Sequence, residues 1–87
     1  MASYRVEIKP SAVKELDKLP RKIVQRAIAA IRGLVENPYP PGVKKLTGFE
    51  HTCRVRVGDN RILYDIQEDR LIIVIIRVKH RKHVYRR

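Results

Sequence analysis

Two spacings of apolar residues divide this chain. Over 4–9, Tyr4, Val6 and Ile8 alternate with Arg5, Glu7 and Lys9, the period of two that predicts a half-buried strand. Pro10 and Ser11 end that run. Pro10 suits the first turn of a helix and Ser11 is a candidate cap. A short helix is expected to about residue 19, with Val13, Leu16 and Leu19 on one stripe. Pro20 breaks it and opens a second helix over about 21–36. The inner face of that helix is Ile23, Ala27, Ile31, Leu34 and Val35, with Val24 and Ile28 alongside. The tight join makes the two a helical hairpin. The run Asn37-Pro38-Tyr39-Pro40-Pro41-Gly42 cannot continue a helix and reads as a rigid loop. Residues 43–46 extend briefly before a turn at Thr47-Gly48. Alternation then returns over 52–57, with Cys53, Val55 and Val57 on one face and Arg54 and Arg56 on the other. A turn at Gly58-Asp59-Asn60 leads to a strand over 61–67, where Ile62, Tyr64 and Ile66 share a face. After a turn at 68–70, residues 71–78 are apolar nearly throughout. They predict the central strand of the sheet, buried on both faces.

The elements run β-α-α-β-β-β. Three strands joined by tight turns make an antiparallel meander, and the helical hairpin needs an apolar surface that the sheet face supplies. The expected fold is α+β, with the hairpin packed on one face of a small, mainly antiparallel sheet. At 87 residues one domain spans the whole chain. No repeat or low-complexity segment interrupts it.

Charge changes the picture more than size does. Twenty Lys and Arg against nine Asp and Glu leave a formal charge of +11, which attracts polyanions and repels itself in the compact state. The excess lies toward the C-terminal half. From Arg77 onward come Lys79, His80, Arg81, Lys82, His83, Tyr85, Arg86 and Arg87, with no carboxylate among them. Arg54 and Arg56, two apart on a strand, point to one face, and Arg61 starts the neighbouring strand close to Arg56. The planar guanidinium grips phosphate through two hydrogen bonds, and a tyrosine can stack on a base. The convergent set suits a phosphodiester backbone, although single arginines on an open strand face are commonly solvated charge. Cys53, the only cysteine, reads as a buried and inert thiol in a reducing compartment. No Asp, Glu, Cys or His cluster has metal-ligand spacing, so no metal or cofactor is expected. Asp65 and Glu68 read as surface or ion-pair residues, and His51 as a loop residue. The start has no apolar signal region, and the longest aliphatic run, 71–76, is far short of the roughly 20 residues of a membrane span. A cytoplasmic protein without membrane contact is expected.

At these residues the chain resembles a known family. Lys45-Leu46-Thr47-Gly48, Arg54-Val55-Arg56-Val57, Asn60-Arg61-Ile62-Leu63-Tyr64 and the closing Val78-Lys79-His80-Arg81-Lys82-His83-Val84-Tyr85 follow one another as in the RelE branch of the RelE/ParE toxin superfamily. The resemblance covers essentially the whole chain. It implies a toxin of a type II toxin–antitoxin system: a metal-independent endoribonuclease that enters the ribosomal A site and cuts mRNA. The 2′-hydroxyl attacks the adjacent phosphate, leaving a 2′,3′-cyclic phosphate and a 5′-hydroxyl. By position, the resemblance gives Arg61 the charge building on the phosphate, Arg81 the leaving 5′-oxygen and Tyr85 the orientation of the substrate. Lys45, Arg77, Lys79, His80, Lys82 and Arg86 would contact RNA. Arg54 and Arg56 stand where relatives carry lysines. Arginine stays protonated, so these two can stabilise charge but are poor bases. An imidazole in general can exchange a proton near neutral pH, so His83 and His80 are the better candidates for proton transfer.

The implied partners are a cognate RelB-like antitoxin with an acidic segment, the ribosome with its mRNA, and operator DNA only through the antitoxin complex. Two other readings keep the fold. A ParE-like poison of DNA gyrase usually lacks the arginine–tyrosine set. A non-enzymatic RNA- or ribosome-binding module would show salt-dependent binding without cleavage.

Overall fold

The computed structural model describes residues 3–80. It runs β1 (Arg5–Ile8), α1 (Pro10–Asp17), α2 (Arg21–Glu36), β2 (Lys44–Lys45), β3 (Thr52–Val57), β4 (Asn60–Gln67) and β5 (Ile72–His80). The five strands form one sheet in the order β1-β5-β4-β3-β2. β1 lies parallel to β5, and every other pairing is antiparallel. The α+β architecture with helices on one face is as expected, with two changes. The brief extension near residue 44 is a fifth strand, on the edge beside β3. The middle position belongs to β4, while β5 sits between β4 and β1.

The core lies between the helices and one face of the sheet. α1 contributes Ala12 and Leu16, α2 contributes Ala27, Ile31 and Leu34, and the sheet contributes Cys53, Val57, Ile62, Tyr64, Ile66, Ile73, Ile75 and Val78. Pro10 opens α1 as expected. Val13 does not join the buried stripe, since it is exposed, and Ala12 takes that place because α1 is rotated to face β5. Tyr64 is completely buried, and its hydroxyl donates to the Pro38 carbonyl at 2.7 Å. Burial pushes its phenol above the ordinary range. That bond fixes the proline loop against the sheet and sets the start of β2.

The β3–β4 hairpin turns on Gly58 and Asp59 alone, because Asn60 already pairs with Val57. Gly58 has φ +59° and Asp59 stays at negative φ, the pattern of a two-residue turn that wants glycine first.

β5 carries the most consequential irregularity. Leu63 pairs with Arg77, but Tyr64 pairs with Ile75, so Ile76 is skipped. A strand shows alternate residues to opposite faces, so this bulge reverses the alternation. Below it Ile73 and Ile75 face the core, and above it Val78 does. Unbroken alternation would have pointed Arg77 beneath the helices.

β1 ends before β5 does, which leaves the edge of β5 open above Ile75. α1 covers it. The Lys9 amide donates to the Ile75 carbonyl at 3.0 Å, the Ser11 hydroxyl donates to the Ile76 carbonyl at 3.1 Å, and the Val78 amide donates to Glu15 Oε1 at 2.8 Å. Ser11 is therefore not a cap for its own helix. It and Glu15, four apart on one helix face, satisfy a strand edge that would otherwise be bare.

Candidate nucleic-acid interface

The face of the sheet away from the helices holds the cations. Its composition follows from the register. Lys44, Arg54, Leu63 and Arg77 are successive partners across β2, β3, β4 and β5, and Arg56, Arg61 and Lys79 form the next row. Arg56 and Arg61 are direct partners across the hairpin, as the sequence suggested. Lys44, Arg54, Arg56 and Arg61 line, with Gly42, a cleft of about 310 Å³. Arg61 also donates to its neighbour's backbone, the Asn60 carbonyl, at 3.4 Å. Charges of one sign this close repel, and a phosphate among them relieves that repulsion and accepts charge-assisted hydrogen bonds.

Arg77 and Lys79 share this face, but their charge is committed elsewhere. Glu15 Oε2 lies 3.2 Å from Arg77 and 2.6 Å from Lys79. The carboxylate is largely buried. It holds both cations by charge rather than by aligned hydrogen bonds, so Oε2 and Arg77 Nε have no hydrogen-bond partner of good geometry. The expectation that Arg77 and Lys79 are RNA contacts thus meets an internal ion-pair network. Glu15, one of two acids in an amphipathic helix, gave no sign of this in sequence.

Two more expected contacts stand elsewhere. Lys45 pairs with Cys53, on the helix side of the sheet. There it partly offsets the burial that raises the Cys53 thiol. Lys44, one residue earlier, takes the place on the arginine face. His80 follows Lys79 onto the helix side, where it lines a hollow with Glu15, Leu19, Asp59 and Asn60. Which of the two lysines faces the arginines is hidden in sequence because a two-residue strand offers no alternation to read. Arg81, Lys82, His83, Tyr85 and Arg86 lie outside the described residues.

Phe49, not singled out in the sequence reading, stands beside the cationic cleft. The Phe49 amide donates to the Leu46 carbonyl at 3.1 Å across Thr47 and Gly48, with Gly48 at φ +83°. That is a type II turn, whose third position wants glycine. The turn is tied down by Leu46, whose amide donates to Thr52 at 2.9 Å. A second cleft of about 310 Å³ opens there, lined by Lys44, Lys45, Leu46, Thr47, Phe49 and Arg54. Lys44 and Arg54 are common to both clefts.

On the helix side a cavity of about 490 Å³ is lined by Tyr39, Val43, Lys45, Glu50, His51, Cys53, Ile66 and Glu68. The Tyr39 hydroxyl donates to Glu68, which pushes the phenol up to about 12. The Thr52 hydroxyl donates to Asp65. Both acids that read as surface residues are thus hydrogen-bonded. Among the described residues no group of three metal-ligating side chains comes together, and no helix is long and apolar enough to cross a membrane.

Residues 6–85 match the family model described as the ParE toxin of type II toxin–antitoxin system, parDE. The chain is 33% identical over 85 residues to toxin RelG of Mycobacterium tuberculosis, covering 97% of this chain and 98% of that protein. It is 31% identical over 86 residues to putative toxin RelE1 of Methanocaldococcus jannaschii, covering 95% and 96%. Its fold is similar to that of a chain in the crystal structure of the archaeal RelE–RelB complex from Pyrococcus horikoshii. The TM-score is 0.82 at 32% identity, over 91% of this chain and 96% of that one.

Proposed function

The chain belongs to the RelE/ParE toxin superfamily of type II toxin–antitoxin systems, and on that footing we propose that it is a ribosome-dependent endoribonuclease acting on mRNA. The observation that carries this reading is the cluster of Lys44, Arg54, Arg56 and Arg61 around one cleft on the open face of the sheet. Such a cluster is built to hold a phosphodiester and to stabilise the extra negative charge of a five-coordinate phosphorus. The RNA 2′-oxygen attacks phosphorus, the bond from phosphorus to the 5′-oxygen breaks, and the proton lost by the 2′-hydroxyl is balanced by one gained at the 5′-oxygen. Water is not consumed, and the products are a 2′,3′-cyclic phosphate and a 5′-hydroxyl. Arg61, directly opposite Arg56 on the hairpin, is the cation assigned in this reading to that developing charge. Arg54 and Arg56 act as fixed cations, since a guanidinium does not release its proton near neutrality. Proton transfer falls to a group outside the described residues, with His83 the candidate, while Arg81 and Tyr85 complete the site at the leaving group and the base.

The natural partner is an antitoxin whose acidic segment covers the cationic cleft. The P. horikoshii relative was crystallised as a RelE–RelB complex, and by analogy the present toxin is held silent by a protein of that kind.

Mapping of mRNA 5′ ends after brief induction tests the reading, with Arg61→Ala and Arg81→Ala as controls. New cuts inside translated frames, absent in the controls and dependent on ribosomes, are expected. The family model that matches is described by its ParE members, which favours one second reading, a gyrase poison. Growth arrest with intact mRNA would select it.

A further inference from the structure

The two clefts of about 310 Å³ meet at the Lys44–Arg54 pair. One side is cationic, with Arg56 and Arg61. The other is walled by Leu46, Thr47 and Phe49, and Phe49 is 39% exposed, one of few large apolar side chains so placed among the described residues. Rows of side chains two residues apart along a strand are separated by about 6.6 Å, the scale of one nucleotide step. A single-stranded nucleic acid has this same composition: a line of phosphates with flat apolar bases beside it. Proteins that hold single strands pair a positive groove with an aromatic platform for that reason.

We infer that the two clefts form one RNA track, in which Lys44 and Arg54 hold a phosphate next to the reacting one and the ring of Phe49 takes the attached base. The inference deepens the ribonuclease reading and rests on it for the identity of the ligand. The track runs over the β2–β3–β4 corner of the sheet and stops short of β5. There Leu63, completely buried, separates Arg54 from Arg77, and Glu15 holds Arg77 and Lys79. The two loops that frame it are both anchored: the proline loop by Tyr64, the Phe49 turn by its bonds to Leu46 and Thr52.

The test is binding of a fluorescently labelled single-stranded RNA dodecamer to the full chain, followed by anisotropy across a salt series. Phe49→Ala is expected to weaken binding about tenfold, the usual loss of one stacked base, without changing the salt slope. It should leave an abasic oligonucleotide of equal length unaffected, and Phe49→Trp should restore RNA binding. Lys44→Ala is expected to lower the slope of log affinity against log salt by about 0.7, one phosphate contact on a single strand, and Lys79→Ala to leave it alone. Wild-type affinity in both Phe49→Ala and Lys44→Ala, with melting temperatures unchanged, overturns the track, whatever the cleavage result. Equal losses of RNA and abasic binding in Phe49→Ala, or no rescue by tryptophan, also overturn it, because the ring would then serve the fold alone. Capture of a polyglutamate peptide without capture of RNA assigns the surface to an acidic protein segment and overturns it. Binding with the expected mutant pattern but no cleavage on ribosomes keeps the track and rejects the ribonuclease.

Discussion

Two groups of basic residues stand on the same face of the same sheet and have opposite fates. At the β2–β3–β4 corner, Lys44, Arg54, Arg56 and Arg61 surround a cleft. At the end of β5, Arg77 and Lys79 bend toward the strand edge and close on Glu15. In sequence the β5 group looked the richer of the two. What marks the β5 pair is a carboxylate, Glu15, delivered by a helix that covers the bare edge of β5. A count of positive charge therefore does not locate an anion site. The charge must face an open volume, and its nearest acid must be known.

The sharpest way to test this contrast is to remove one cation from the corner. Arg61→Ala should slow mRNA cleavage by roughly 10²–10³-fold, the usual loss when one charge-stabilising donor is removed, while ribosome binding changes far less. Equal losses in both would reduce Arg61 to a docking residue. The β5 group should respond in stability instead. Glu15→Ala strands two cations and the Val78 amide, and should cost about 2–3 kcal/mol in chemical denaturation. A stable Glu15→Ala protein would show that Arg77 and Lys79 are not held as described. Tyr64→Phe removes the bond that pins the proline loop behind Lys44. A loss of about 1 kcal/mol is expected, visible as a lower denaturation midpoint at unchanged slope. The smallest effect completes the comparison. Arg77→Gln with Lys79→Gln should leave the cleavage rate within about twofold of wild type, as befits charge committed to Glu15 and standing outside the cleft. A large loss of cleavage in that double variant, with stability intact, would erase the distinction between the two groups.

Much of this was legible beforehand, and the failures have physical causes. Strong periodicity placed both helices and β3, β4 and β5, because a long amphipathic pattern has few alternative folds. The pairing of Arg56 with Arg61 was readable because a hairpin turn sets its own register. Lys44 was missed because β2 is two residues long, and its facing is decided by its partner strand. Ser11 looked like a cap because its distant partner, a β5 carbonyl, leaves no trace in local sequence. The pairing of Arg77 and Lys79 with Glu15 was hidden for a subtler reason. Nothing in a run of aliphatic residues announces a bulge, and a lone glutamate on a helix does not say which strand it will meet.

The skipped position at Ile76 has a consequence for how this chain can change over time. It splits β5 into two half-strands of opposite phase. Below it, even-numbered residues look outward; above it, odd-numbered ones do. Aliphatic substitutions of similar volume within either half leave the phase intact. The place of the skipped residue has no such latitude. Were the strand to run through Ile76 with no residue skipped, the alternation would swing Arg77 and Lys79 inward together. Composition can drift along this strand, while moving the skipped position would be felt at once by the core, the Glu15 network and the cationic face.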